Sequence, residues 1–407
     1  MIIDTITKTQ SLIASNTIYL FINIMSDNLV GRYVGETNDE GQKHGKGKLT
    51  LYNGDIYEGQ WVNDIITNGT FKTLTGNIYA GSFNNNGEKH GDGNYFNKVT
   101  GDRFEGNFEN DLKHGTGKCF RANGDVVMGK YVHGIELKSQ VMIKYKSGDN
   151  YTGAVSDTYQ KQGYGKLMFY AGEYLSMEGE FFEDHMHGRV KIAYRSGKKV
   201  DAYFYNSVLN GQAHITYENG DILSCEYVDD KKNGYGTLLR KKGERYDGYF
   251  VNDKREGSGI CVFEDGSSYD GEWLDGKMHG RGKFTTADGS VCHTSWTNGK
   301  KEGEAEVILP NGAIVKGKYF ADELREGSCT FSNGDIYQGP FKKLKAETNA
   351  LKKEKGSLTG ANYYYTGEFK NGKRHGKGRM EYADGAYYEG EYAEDYKHGQ
   401  GVFEMKG

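Results

Sequence analysis

Paired cysteines, a strong charge of either sign and a long apolar run are all missing from this chain, and each absence removes a class of function. Its five cysteines (Cys119, Cys225, Cys261, Cys292, Cys329) are odd in number, at least 31 residues apart and free of any Cys-x-x-Cys pair. They are expected to be small buried hydrophobes in a reducing compartment rather than disulfide partners or metal ligands. A net charge of −4 over 407 residues argues against a nucleic-acid binder driven by phosphate contacts. The apolar stretch at 12–25 is interrupted by Ser15, Asn16, Thr17 and Asn23 and is too short to span a bilayer, and Lys8 beside Asp4 makes a poor signal-peptide start. Met25 is expected to be the natural initiator, with residues 1–24 an upstream extension and 1–30 a poorly ordered segment outside the main fold; a membrane-touching anchor is the alternative there. Hydrophobic residues are also scarce, at 36%, and 60 glycines cannot fill the core of a large globule. The missing apolar area has to come from the 13% aromatic content.

What the chain does have is a unit of about 23 residues, repeated from residue 31 to residue 407. Residues 266–288 read GSSYDGEWLDGKMHGRGKFTTAD, and residues 101–123 read GDRFEGNFENDLKHGTGKCFRAN. Roughly 16 copies follow one another, and a fixed period of that size marks an array whose members bury their apolar faces against their neighbours. Counting from the leading glycine, an aromatic stands at position four, glycine at six and a second aromatic at eight, as in Tyr269, Gly271 and Trp273. That spacing of two is a strand signature, with the rings on one face and Asp270 and Glu272 on the other. Trp61, Phe83, Phe108, Trp273, Trp296 and Phe369 are thereby predicted to form a structural aromatic row.

Turn chemistry closes the strands. Asn or Asp followed by glycine at the boundaries (Asn123-Gly124, Asp265-Gly266, Asp384-Gly385) predicts two-residue hairpin turns. A second, longer turn is expected inside each repeat, before the recurring His-Gly. Glycines at positions six, fifteen and seventeen are expected to leave slots over which a neighbouring ring lies. The predicted fold is all-β: an elongated, twisted, single-layer, solenoid-like ribbon of about 16 successive antiparallel β-hairpins, roughly 150 Å long at about 4.8 Å per strand. It occupies residues 31–407, with a lysine-rich insertion at about 342–356 read as a projecting basic loop or short helix.

Basic residues recur in the turn before His-Gly, where stacking would line them up along one edge. Lys113, Lys254, Arg255, Lys277, Lys300, Lys301, Lys373 and Arg374, with Lys342, Lys343, Lys345, Lys352, Lys353 and Lys355 of the insertion, are candidates for contact with anionic lipid or an acidic partner. A solubilising edge is the other reading of the same lysines.

Catalytic signals are weak. Seven of the eleven histidines (His44, His90, His114, His187, His279, His375, His398) stand directly before the same glycine. Equivalent atoms in successive hairpins should lie about 10 Å apart, too far to share one zinc ion held at about 2 Å. Segments 41–46 and 372–377 resemble phosphate loops but have three residues between their glycines and no Ser or Thr after the lysine. No catalytic residue, cofactor or metal site is predicted.

The repeated unit, Tyr-x-Gly-x-Trp/Phe followed by Gly-Lys-x-His-Gly-x-Gly at 269–282 and its counterpart at 388–401, resembles the MORN repeat. Val200, Leu223, Cys292 and Val315 depart from it where Tyr is expected. The resemblance implies a strip of hairpins acting as a non-catalytic scaffold or adaptor for a protein partner, with peripheral binding to anionic phospholipid as the alternative. The repeats leave no room for the kinase or methyltransferase domains attached in some family members. The expected location is cytoplasmic, or peripheral at a membrane or cytoskeletal structure, with self-association through exposed strand edges at the array ends.

Overall fold

The computed structural model describes residues 31–341, 354–370 and 372–406. The expectations for residues 1–30 and for Lys342, Lys343, Lys345, Lys352 and Lys353 lie outside them. The described residues form 33 strands and no helix, so none offers a helix long and apolar enough to cross a membrane. Glu354 already begins a strand, Glu354–Gly360, where the sequence led us to expect the end of an irregular insertion. The chain divides into two compact halves between Met186 and His187. Within each half, strands pair antiparallel with their sequence neighbours in an open succession of hairpins, as the alternation predicted.

The repeat at 266–288 shows how the sequence builds one hairpin. Ser268–Leu274 and Lys277–Thr285 pair from Ser268↔Thr285 to Leu274↔Lys277. The turn between them is only Asp275-Gly276, with φ of 51° and 79°, the double positive-φ geometry that Asn, Asp and Gly accept. The boundary loop is the longer one: Thr286 donates N–H to Ser290 O at 2.9 Å and Gly289 donates to Thr286 O at 2.9 Å, closing a loop around Gly289 at φ 90°. The two turn lengths are therefore exchanged relative to the sequence expectation. The cause is a bulge between Gly271 and Glu272, which places Glu272 opposite His279. Gly280 takes φ 57° there, so the polar residues that looked like loop are strand. Position fifteen is a bulge glycine, not a slot for a ring.

Positions six and seventeen are the slots. Gly271 pairs with Gly282, and the Tyr269 ring of the same repeat lies over both. A Cβ on Gly282 would come within 2.3 Å of that ring, and one on Gly271 within 2.5 Å of its hydroxyl. The ring is held by its hydroxyl, which donates to Glu272 O at 2.9 Å. Tyr79, Tyr151, Tyr246, Tyr365 and Tyr388 repeat this bond to the carbonyl three residues on. In three of the four departing repeats small side chains enter the slot: Val200 comes with Ala202 opposite Ala213, Leu223 with Cys225 opposite Gly236, and Cys292 with Thr294 opposite Ala305, whereas beside Val315 the pair stays Gly317 opposite Gly327 and Leu324 lies against Gly317. Those three repeats keep volume constant by trading one large side chain for two or three small ones.

Rings at positions four and eight then interlock edge to face. Tyr246 meets Phe250 of its own repeat and Trp273 of the next at centroid distances of 5.2 and 5.3 Å; Tyr269 meets Trp273 and Trp296, both at 5.3 Å. Tyr79, Phe104, Tyr337 and Tyr365 make the same two contacts. This geometry adds about 0.5–1.5 kcal/mol per pair beyond the area buried. At the turn edge a second device joins successive hairpins. Asp253 donates its N–H to Lys232 O at 3.1 Å and accepts the Lys232 N–H at 3.0 Å. Asp64, Asp111, Asp184 and Asp395 do the same to Lys43, Lys89, Lys161 and Arg374.

Burial pushes the hydroxyls of Tyr79, Tyr269 and Tyr365 up to about 12 from an ordinary value of 10.0. The unfolded chain releases these protons first. The stability they contribute is therefore complete below about pH 10 and falls as pH rises towards 12. In an alkaline titration, tyrosinate absorbance from these rings is expected to rise together with loss of β-sheet circular dichroism. Full ionisation with the circular dichroism intact would contradict the packing described.

Candidate functional site

Most of the ring-bearing face is packed with its own side chains; among the described residues a small trough of about 230 Å³ opens there beside Leu223 and Phe250. Trp61, Phe83, Phe108, Trp273, Trp296 and Phe369, the row expected from the sequence, are all buried among other rings. What the protein presents to solvent is the opposite face and the turn edge.

The candidate basic residues fall into two rows of different character. The residue at position thirteen, just before the histidine in the repeats that have one, turns inward over the rings: Lys113 lies 4.3 Å from the Phe104 centroid, Arg255 4.6 Å from Tyr246, Lys301 5.3 Å from Tyr319 and Arg374 5.7 Å from Tyr363. Their charges serve cation–π contacts, and Arg255 and Arg374 also pair with Glu244 and Asp395. The residue one place earlier points out. Lys254, Lys277, Lys300 and Lys373 are exposed at the turn edge, as is Lys355 on its own strand. Lys254 pairs with Asp275 at 2.7 Å and Lys373 with Glu394 at 2.9 Å, exposed pairs worth about 0–1 kcal/mol and readily exchanged for another anion.

The outward face carries a feature that sequence reading missed. In the C-terminal half, Tyr235 and Tyr249 are directly paired and 56% and 51% exposed, with their rings 5.4 Å apart edge to face. Tyr203, Tyr205, Val228 and Val251 are also exposed on this face. The signal was present at position seven, which holds polar or small residues in most copies but Tyr203 and Tyr249 here, with Tyr205 two residues on; it was masked by the louder row at four and eight. Each half also has a trough on its polar face. One of about 950 Å³ is lined by Asp92, Asn94, Glu105, Lys118 and Lys130; the other, about 1030 Å³, is lined by Gln338, Lys355, Lys377, Arg379 and Glu389. Mixed charge over a glycine floor suits an extended polypeptide better than a single small anion.

Activated nucleophiles are absent from the described thiols. All five cysteines are free, and burial raises every one, Cys225 to about 11, so they stay protonated and unreactive at neutral pH. The lysine of each phosphate-loop look-alike lies in a strand, Lys43–Leu51 or Lys373–Tyr382, and no helix follows it.

The model of the MORN repeat matches nine stretches: 39–56, 57–67, 104–126, 226–245, 246–268, 269–291, 295–314, 365–387 and 388–405. The chain is a MORN-repeat protein. Antiparallel strands also occupy 127–225, where the model of the repeat finds no match, with one hairpin strand broken into Ile135–Glu136 and Val141–Lys144. No curated relative matches this MORN-repeat protein. Among solved structures, it is similar to the TCP10 domain of Danio rerio CPAP in complex with a STIL peptide, at 13% identity over 56% of this chain and 89% of that one, with a TM-score of 0.25. It is also similar to the Drosophila melanogaster SAS-4 TCP domain in complex with a proline-rich motif of Ana2, at 14% identity over 50% of this chain and 90% of that one, with a TM-score of 0.21.

Proposed function

We propose that this MORN-repeat protein is a non-catalytic scaffold that holds a protein partner against the outward face of its hairpins. The observation that carries the reading is the exposed Tyr235–Tyr249 pair. Tyrosine is enriched at energetic centres of protein interfaces, because a rigid ring offers large contact area and a polar tip at low entropic cost. The ring-bearing face is mostly filled by its own side chains, and this pair is a point on the outward face where two exposed rings already touch. The test is crosslinking and pull-down from the native cell with wild type and with Tyr235→Ala/Tyr249→Ala. A specific partner is expected to be lost, or weakened at least tenfold, in the double variant; undiminished capture would move the binding surface elsewhere.

A second reading, peripheral attachment to anionic phospholipid, is supported by the outward lysines. Val251 pairs with Lys254 and Leu274 with Lys277, so apolar residues and lysines alternate along the turn edge, a pattern that suits a lipid headgroup layer. Vesicles rich in phosphatidylserine are expected to co-sediment the protein at low salt and to lose it when Lys254, Lys277, Lys300 and Lys373 are changed to Glu. Absence of co-sedimentation at low salt would remove this reading. Both readings place the protein in the cytoplasm, free or at a membrane or cytoskeletal surface.

A further inference from the structure

The repeated histidines are too far apart to share an ion, yet one of them meets a second imidazole that does not belong to the ladder. Glu109 ends the strand Arg103–Glu109, and His114 lies just past the next turn, on Leu112–Phe120. His133 opens the two-residue turn of the following repeat, at φ 46°. Gly134 donates its N–H to Lys113 O at 2.8 Å, which fixes the two turns side by side. One donor atom from each of Glu109, His114 and His133 then lies within 4.8 Å of the other two, the one such triad among the described residues.

Two further observations point to a ligand. His114 Nδ1 is buried and stands 3.0 Å from Glu109 Oε2, but the ring N–H is not aligned with that oxygen and the nitrogen has no hydrogen bond. The ion-pair distance is met while the hydrogen-bond direction is not, so the nitrogen and the carboxylate face a common space rather than each other. The His133 ring closes that space, 5.5 Å from the His114 ring between centroids. His114 shares its buried, unbonded Nδ1 with His279 and His375 of the ladder, but Glu109 and His133 are singular in the array. The first position of this turn is Asn63, Asn110, Asn206 or Asn252 in other repeats, and the place of Glu109 is taken by Val228, Val251 or Leu274.

We propose that Glu109, His114 and His133 form a binding site for a divalent transition metal of the zinc class, bridging two consecutive hairpins at the turn edge. Two imidazole nitrogens and one carboxylate oxygen are a donor set that zinc, cobalt and nickel accept. Donors held at about 2.0–2.2 Å from a common centre stand roughly 3.3–3.5 Å apart, so the triad closes by rotation of the exposed His133 side chain. Three protein ligands leave a fourth position open to solvent. The metal ties one hairpin to the next and stabilises that part of the array by mass action.

The test is titration of the full chain with Zn²⁺ by calorimetry, and with Co²⁺ by its visible absorption. His133→Asn is the informative variant, because Asn is the residue other repeats carry at this turn and folding is preserved. Wild type is expected to bind one ion per chain saturably. His133→Asn and Glu109→Gln are expected to weaken that site at least tenfold, while a change at the exposed His293, His293→Asn, leaves it intact. Co²⁺ bound by wild type should show the intense visible bands of a four-coordinate site. Absence of saturable binding by wild type, or equal binding by wild type and His133→Asn, overturns the proposal.

Discussion

Gly271→Val is expected to destabilise its region of the array by about 3 kcal/mol, the upper end of the usual overpacking cost, and to open the hairpins around it to protease. The first added carbon would stand 2.5 Å from the Tyr269 hydroxyl and 2.7 Å from the Gly282 Cα. Neither obstacle yields cheaply. The ring is pinned by its bonds to Glu272 O and His279 O at 2.9 and 3.0 Å, and Gly282 is fixed by strand register. The chain itself supplies the rescue. Tyr269→Val with Gly271→Ala and Gly282→Ala reproduces the arrangement at Val200, Ala202 and Ala213, and should recover much of the lost stability. A control, Gly266→Ala, meets nothing within 4 Å and carries only the strain of φ 83°, roughly 1–2 kcal/mol. Limited proteolysis and thermal unfolding separate the cases; a Gly271→Val protein as resistant as wild type would show that the ring does not need the slot.

Trp273→Ala has a comparable expected effect by the opposite route, a cavity. The indole is buried, touches Tyr246 and Tyr269 edge to face, and donates Nε1–H to Gly259 O at 2.9 Å. The Arg255 guanidinium lies 5.1 Å from its centroid. Truncating such a ring costs about 3–5 kcal/mol, since the close-packed neighbours collapse only in part. Trp273→Phe should cost far less, about 1 kcal/mol for the hydrogen bond, because Phe108 and Phe369 fill the same position elsewhere. In an array whose members contact mainly their neighbours, the damage stays local. Hydrogen exchange should therefore show lost protection in the two hairpins beside Trp273 and none around Phe104. Equal losses for the Ala and Phe variants, or protection lost evenly along the chain, would contradict the interlocked-ring account.

The strands, the ring row and four buried cysteines were legible because they depend on period-two alternation and on residue type, both properties of a short stretch of chain; Cys119 is only half-buried. The turns were misassigned for a related reason. The polar run at 275–279 reads as loop, and only the bulge opposite Glu272 shows that the strands pair as far as Leu274↔Lys277. The basic residues were found, but not their division. Lys254 and Arg255 are adjacent in sequence, yet one reaches solvent and the other lies over Tyr246, because successive strand residues face opposite sides of the sheet.

By itself the sequence determined the family, the all-β class and the run of hairpins, since a repeated pattern of aromatics and turn glycines admits no other period. Tertiary structure alone decided which glycines carry a ring, which face stays open, and that Glu109, His114 and His133 meet. Each of those facts is a contact between residues on different strands, and strand register, set by hydrogen bonds and by bulges such as the one between Gly271 and Glu272, is what brings them together.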